Sequence, residues 1–296
     1  MTPPLNVIQV LQRTTEYFAQ KGIPNPRLDA EVLLAHLLGV ERIRLYVEHD
    51  RPLMPDELAG YRELVARRAR RAPVAYLTGR KEFMGLDLAV DSGVLIPRPE
   101  TELLVERALA WCRAEMEQSR SVVHLADIGT GSGAIAVALA KNLPKSAAYA
   151  TDISAAALAV AAANAEKHGV GSRIKFFEGD LAGPLYEEGL AGRLDLLASN
   201  PPYVPRRTAG ELPPEVVRYE PEVALFGGED GLKFYEPLVG QAGELLRGGG
   251  LLIMEIGHDQ AATVTEFIAR EGNFGDPTVI KDYAGHDRVV FAHKMA

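Results

Sequence analysis

The chain has 296 residues, 47% of them hydrophobic and 24% charged, which supports one large folded domain or a larger and a smaller one and speaks against disordered, collagen-like and coiled-coil classes. Lys and Arg number 32 against 40 Asp and Glu, a formal charge of −8, so the molecule as a whole has no general attraction for nucleic-acid phosphates. A single cysteine, Cys112, excludes an internal disulfide and a Cys-rich metal centre; the seven His show no ligand spacing, and no metal is expected.

Met1-Thr2-Pro3-Pro4-Leu5-Asn6 lacks the basic and apolar stretches of a signal peptide, and no later run approaches the ~18 apolar residues of a spanning helix. A cytoplasmic address without membrane association is expected. Residues 5 to 75 read as helical throughout. Ala30, Leu33, Leu34, Leu37 and Leu38 form one apolar stripe, Leu58, Tyr61, Leu64 and Val65 another, with breaks at Pro24/Pro26 and Pro52/Pro55. Arg67, Arg68, Arg70 and Arg71 close the last of these helices, where cations complement the helix dipole or meet an acidic or RNA partner.

Short strand-like pieces between Glu82 and Leu95, around Gly85 and Asp91-Ser92-Gly93, predict a hairpin. The expected organisation is a small N-terminal helical bundle over 1–78, a bridging β-hairpin linker over 79–98 and a catalytic domain over 99–296. In that last part a helix through Glu102, Leu103, Val105 and Leu109 leads into strand–helix alternation. Strands are predicted at Ser121–Asp127, Ala147–Asp152, Ile174–Glu178, Leu194–Ser199 and Leu251–Glu255, followed by a closing antiparallel pair, Thr278–Lys281 and Arg288–His293. The fold class is therefore α/β, a doubly wound, seven-stranded, mostly parallel, Rossmann-like sheet.

The run Asp127-Ile128-Gly129-Thr130-Gly131-Ser132-Gly133-Ala134 ends the first of these strands and opens a helix, a place where glycines let the backbone approach a ligand. By itself it also fits the dinucleotide pattern G-x-G-x-x-A, with Asp152 as the ribose acid. Acids at successive strand ends separate the readings. Asp127 suits a cationic amine or the loop's own N–H groups, Asp152 both ribose hydroxyls, and Asp180 an adenine amine, while Leu181 serves as an apolar wall. No phosphate is needed, and the ligand with those parts is S-adenosylmethionine, which leaves as S-adenosylhomocysteine. The plain alternative is that each Asp caps the helix after it.

Ser199-Asn200-Pro201-Pro202-Tyr203 follows the fourth strand, at the carboxyl edge of the sheet where open α/β folds bind ligands. Two prolines stiffen the backbone and remove two donors, so the Asn200 side-chain oxygen and the Pro201 carbonyl can accept both hydrogens of a planar –NH2 group. Gripping both hydrogens aims the nitrogen lone pair at an electrophilic methyl. Tyr203 would supply a flat wall for the substrate.

These residues resemble those of the class I S-adenosylmethionine-dependent methyltransferases, and Asn200–Tyr203 the subset that methylates planar amino nitrogens. Ala75–Gly79, Glu82–Gly85 and Val94-Leu95-Ile96-Pro97-Arg98-Pro99-Glu100-Thr101-Glu102 narrow the resemblance to the peptide-chain release factor glutamine methyltransferases, PrmC or HemK. Glu220-Pro221, Gly227-Gly228, Asp230-Gly231-Leu232, Glu255-Ile256-Gly257 and Asp287–Val290 agree with it. The resemblance implies methylation of the side-chain amide nitrogen of the Gly-Gly-Gln glutamine in class I release factors. It assigns cofactor contact to Gly129, Thr130, Gly131, Ser132, Gly133, Asp152, Asp180, Leu181 and Asn200, and substrate contact to Asn200, Pro201, Pro202 and Tyr203. The helical domain is expected to help dock the protein substrate. Arg98, Glu100, Glu220 and Glu255 receive no role. Rival readings are a glutamine methyltransferase of a ribosomal protein, an amino-methyltransferase of nucleic acid, and a nicotinamide-dependent oxidoreductase.

Overall fold

A computed structural model describes residues 5–119 and 122–296. Its contacts divide the chain into two units, residues 1–80 with 213–219 and residues 81–212 with 220–296.

The first unit is helical, with helices at Val7–Gln20, Pro26–Leu38, Arg42–Val47, Pro55–Ala69, Val74–Thr78 and Pro214–Tyr219. Local chemistry sets their ends. Asn6 and Gln9 form a reciprocal capping box, Pro26 and Pro55 start helices, and Gly39 and Gly79 end them in the left-handed conformation. Val7, Leu11, Phe18, Ala30, Leu33, Leu34 and Tyr61 are buried together, and the Tyr61 hydroxyl donates to the Ala30 carbonyl at 2.9 Å.

The arginine run does not behave as a uniform solvated helix end. Arg68 is only 6% exposed; it pairs with Asp29 at 2.7 Å and Glu215 at 3.3 Å, and Arg71 also reaches Glu215. A sequence pattern cannot reveal this, because Glu215 lies 147 residues away.

The second unit begins with a hairpin, β1 (Arg80–Phe83) and β2 (Leu86–Ala89), turned by Met84 and Gly85, both at positive φ. Phe83 and Leu88 enter the same core as Leu104 and Leu139. The Asn164 side chain accepts from the Ala89 N–H and donates to the Ala89 carbonyl, clamping β2 to the helix Ala155–Lys167. From Lys81 onward the hairpin is thus packed into this unit, where the sequence suggested a separate 79–98 linker. Residues 213–219, expected within the catalytic domain, cluster with the helices.

Strands β3 (Val123–Ile128), β4 (Ser146–Asp152), β5 (Ile174–Glu178), β6 (Leu194–Ser199), β7 (Leu246–Glu255), β8 (Thr278–Lys281) and β9 (Asp287–His293) form one sheet in the order β5-β4-β3-β6-β7-β9-β8. The pairings among β3 to β7 are parallel, and β9 runs antiparallel to β7 and β8. Predicted and observed strands agree within a few residues. The first residue of the expected strand Ser121–Asp127 lies outside the described residues, as do Met1 to Pro4. β7 starts five residues earlier than predicted, because Gly248-Gly249-Gly250 reads as a break although it continues the strand through an irregularity opposite Leu194 and Leu196. Both faces are covered. Leu104, Val137, Leu139 and Ile253 belong to one core cluster, Leu197, Leu238, Leu252 and Val264 to the other, which is why the inner strands read as continuous apolar runs.

Candidate active site

Strand order reverses between β3 and its neighbours β4 and β6, and ligands of open α/β sheets bind outside the carboxyl ends of the strands at such a switch point. A cavity of about 380 Å³ opens there, within the roughly 300–1,000 Å³ of small-molecule sites. Gly129, Gly131, Asp152, Asp180, Leu181, Asn200, Pro201 and Pro202 all line it. Asp127, Thr130, Ser132, Gly133 and Tyr203 stand outside its lining.

The loop after β3 is held from beneath. Asp127 is fully buried, and its Oδ2 accepts from the Thr130 hydroxyl at 2.7 Å and the Ala136 N–H at 3.0 Å. Its Oδ1 has no hydrogen-bond partner among the described residues. Burial pushes this carboxyl up to about 6, opposed by those two hydrogen bonds and reinforced by the Asp152 charge. Gly129, Gly131 and Gly133 all take positive φ, a conformation that side chains resist. At Gly129 and Gly131 a Cβ would meet open space, whereas at Gly133 it would come within 3.0 Å of Ala161. Gly133 therefore permits close helix packing, and the first two glycines leave the cavity floor bare. The loop N–H groups turn toward β4: Gly129 and Thr130 donate to the Thr151 carbonyl at 2.9 Å, and Gly131 donates to Asp152 Oδ2 at 2.8 Å.

The aspartates at the next strand ends are not helix caps. Ser154 caps the helix Ala155–Lys167 with its own side chain, while Asp152 Oδ1 accepts from the Ser154 N–H at 2.9 Å. Each Asp152 oxygen thus carries one backbone hydrogen bond and keeps lone-pair capacity for a further donor. Ala182, without a side-chain bond, caps the helix after β5. Asp180 is exposed and its carboxylate accepts no hydrogen bond among the described residues. Leu181 takes a φ of 48°, an unusual conformation for leucine that recurs at ligand sites.

The Asn200–Tyr203 segment is braced by groups to which the sequence assigned no role. Asn200 Nδ2 donates to the Thr101 hydroxyl at 3.1 Å, Thr101 donates to Glu255 Oε2 at 2.6 Å, and the Tyr203 hydroxyl donates to Glu255 Oε1 at 3.1 Å. Tyr203 therefore points its hydroxyl into the protein at the end of β7, and the flat wall expected of it is not part of this cavity. Burial raises the wholly enclosed Glu255 carboxyl above its ordinary value, against the pull of Thr101, Arg288 and Tyr203. Gln260 donates to the Tyr203 carbonyl at 3.0 Å. Gly231 approaches that carbonyl so closely that a Cβ would sit 2.3 Å from it, and Gly227 does the same to Pro202. Glycines of the quoted motifs thus make room for the Pro202–Tyr203 backbone.

The structure adds residues that the motifs missed. Leu95, Thr151, Ile153, Val223, Ala224, Lys233 and Phe234 also line the cavity. Ile153, 57% exposed beside Asp152, could have been found as an apolar residue immediately after a strand-end acid; Val223 and Lys233 have no local signal. Glu220, left without a role, accepts from Arg98 at 2.5 Å and from the Ile96 N–H at 3.2 Å, fixing the segment that carries Leu95 to the one that carries Val223. Glu102 accepts from the Met84 N–H at 2.7 Å and so holds the hairpin turn.

Comparison with known proteins agrees with this geometry. Residues 9–79 match the family model of the PrmC N-terminal domain, and residues 108–216 that of the methyltransferase small domain. The release factor glutamine methyltransferase of Geobacter sulfurreducens is 47% identical over 95% of this chain and 94% of its own length. That of Chlorobaculum tepidum is 42% identical over 96% and 95%. Among solved structures, the hMettl16 catalytic domain in complex with MAT2A 3'UTR hairpin 6 superposes with a TM-score of 0.55 at 19% identity, covering 76% of this chain and 80% of that one. That likeness concerns the fold, a Rossmann-like methyltransferase sheet. At these identities over nearly its whole length, the chain belongs to the release factor glutamine methyltransferase family.

Proposed function

We infer that the protein transfers a methyl group from S-adenosylmethionine to the side-chain amide nitrogen of the Gly-Gly-Gln glutamine in class I peptide-chain release factors. The observation that carries this reading is the acceptor set at the end of β6: an Asn200 amide whose –NH2 is already engaged, beside the donor-free Pro201 and Pro202, on the wall of the cavity.

The residues present fit the cofactor. The glycines leave the cavity floor bare, and the Asp152 and Asp180 carboxylates, with lone pairs unengaged among the described residues, offer acceptors for hydroxyls and amines. A nicotinamide dinucleotide fits less well, because the Gly129, Thr130 and Gly131 N–H groups that would hold a pyrophosphate are spent on β4. When bound, S-adenosylmethionine supplies a methyl on a positively charged sulfur, which leaves as the neutral thioether of S-adenosylhomocysteine.

An amide nitrogen is a weak nucleophile, so orientation is the principal contribution of the protein. The Asn200 oxygen and the Pro201 carbonyl accept the two amide hydrogens and favour positive charge developing on nitrogen. The nitrogen forms its new bond to carbon and releases one proton to water. Pro201 and Pro202 keep the acceptors in place with fixed φ.

The test supplies the protein with methyl-labelled S-adenosylmethionine and, separately, an intact release factor, the factor with its Gly-Gly-Gln glutamine replaced, ribosomal proteins, and RNA or DNA. Label on the intact factor alone is expected; label on ribosomal protein or nucleic acid overturns the substrate assignment. Asn200→Ala is expected to lower turnover by about 10²–10³-fold, the usual effect of deleting one preorganised polar contact to the transition state, without a matching loss of thermal stability.

A further inference from the structure

Thr101 has one hydroxyl hydrogen and two close polar neighbours, Glu255 Oε2 at 2.6 Å and Asn200 Nδ2 at 3.1 Å. With Glu255 ionised, its carboxylate can only accept, so the Thr101 hydrogen goes to Glu255 and a Thr101 lone pair faces Asn200. Only the –NH2 end of the Asn200 amide can satisfy that lone pair. Its carbonyl oxygen is thereby turned the other way and accepts no hydrogen bond among the described residues.

A terminal amide presents nearly the same shape in both orientations, and only its hydrogen-bond partners distinguish them. The difference is chemically decisive here. A flipped Asn200 would set its oxygen against the Thr101 lone pair and offer donors where the hydrogens of a substrate –NH2 must be accepted. Thr101 is 3% exposed and Glu255 fully buried, so little water competes for their hydrogen bonds. The same carboxylate holds the Tyr203 hydroxyl, which ties both ends of the Asn200–Tyr203 segment to one group.

We propose that Glu255 and Thr101 are positioning residues that fix the direction of the Asn200 amide and so make its oxygen the acceptor for the substrate nitrogen. The catalytic consequence rests on the glutamine-methylation reading; the order of the hydrogen bonds does not. It assigns a task to Thr101, within the Pro97–Glu102 run whose chemistry the sequence leaves unread, and to Glu255 at the end of β7.

The test compares full-length wild type, Thr101→Val, Thr101→Ser and Glu255→Gln. The Asn200 side-chain amide is followed by NMR in asparagine-labelled protein, its signal identified by its loss in Asn200→Asp. In wild type and Thr101→Ser, one Asn200 amide hydrogen is expected to exchange with solvent at least tenfold more slowly than in Thr101→Val. Turnover on the release factor is expected to fall about 100-fold in Thr101→Val, the scale of a small misplacement of a reacting group, and to recover to at least a third of wild type in Thr101→Ser. S-adenosylmethionine affinity should stay within threefold throughout. Glu255→Gln should resemble Thr101→Val, and the threonine pair decides the matter if that protein does not fold. Equal exchange in wild type and Thr101→Val, or undiminished turnover by Thr101→Val, overturns the proposal. A slow hydrogen lost in Thr101→Val, together with a wild type that leaves the factor unmethylated, supports the hydrogen-bond order and overturns the substrate assignment instead.

Discussion

In the helical unit the buried Glu31 carboxylate meets Arg27, Arg42 and the Tyr46 hydroxyl, whereas in the methyltransferase unit the equally buried Asp127 and Glu255 are held by hydroxyl and amide donors and enter no ion pair among the described residues. The carboxyls respond in opposite directions. Burial alone would raise Glu31, but Tyr46, Arg27 and Arg42 overcome it and hold the group below its ordinary range. Burial prevails at Asp127 and Glu255, which are raised. Neutral donors orient a carboxylate without cancelling its charge, so these two acids cost folding energy and keep their capacity to direct nearby groups. Ion pairing thus lowers the Glu31 carboxyl, whereas neutral donors leave Asp127 and Glu255 raised.

Removing a fully paired buried cation tests the first half of this contrast most severely. Arg68→Ala leaves the buried Asp29 without its counter-charge and Glu215 with Arg71 alone, and a loss of about 3–5 kcal/mol is expected in denaturant unfolding. A loss below 1 kcal/mol would mean that the buried pair contributes no more than a surface one.

The second half is tested by pH. The folded-state value of Asp127, about 6, lies above its ordinary 3.8, so the folded protein keeps this proton to higher pH than the unfolded chain. The associated stability is fully present below about pH 4 and is lost as pH rises through about 6. Asp127→Asn should flatten that part of the stability curve by on the order of 2–3 kcal/mol relative to wild type. An unchanged difference between the two proteins across that window would count against a raised Asp127.

The smallest effect belongs to an exposed pair. Lys167 meets Asp87 at 2.9 Å with both side chains more than two-fifths exposed, and Lys167→Ala should change stability by less than ~0.5 kcal/mol. A larger value would show that surface pairs, and not burial, dominate the electrostatics of this protein.

Much of the architecture is visible in one dimension because it depends on local chemistry and periodicity. Apolar runs at Leu194–Ser199 and Ile174–Glu178 are strands buried on both faces, and the glycine loop and Asn200–Tyr203 announce themselves by residue types with narrow conformational choices. Gly248-Gly249-Gly250 misleads because glycine is a breaker only when no neighbouring strand enforces extension; here Leu246 and Leu251 pair with β6 on either side of it.

Sequence alone determined the strand ends that carry the acids, the stiff acceptor segment after β6, and the family to which the motifs point, since each is written in consecutive residues. The tertiary structure decided which acids face the cavity and which lie beneath it, and it made Ser154 rather than Asp152 the helix cap. It also brought Thr101, Asn200 and Glu255 together across separations of 99 and 154 residues, joining a motif residue and two side chains without an assigned role into one ordered set of hydrogen bonds. The physical reason is that a hydrogen bond's direction depends on what every partner can donate or accept, and those partners become neighbours only when the sheet has formed.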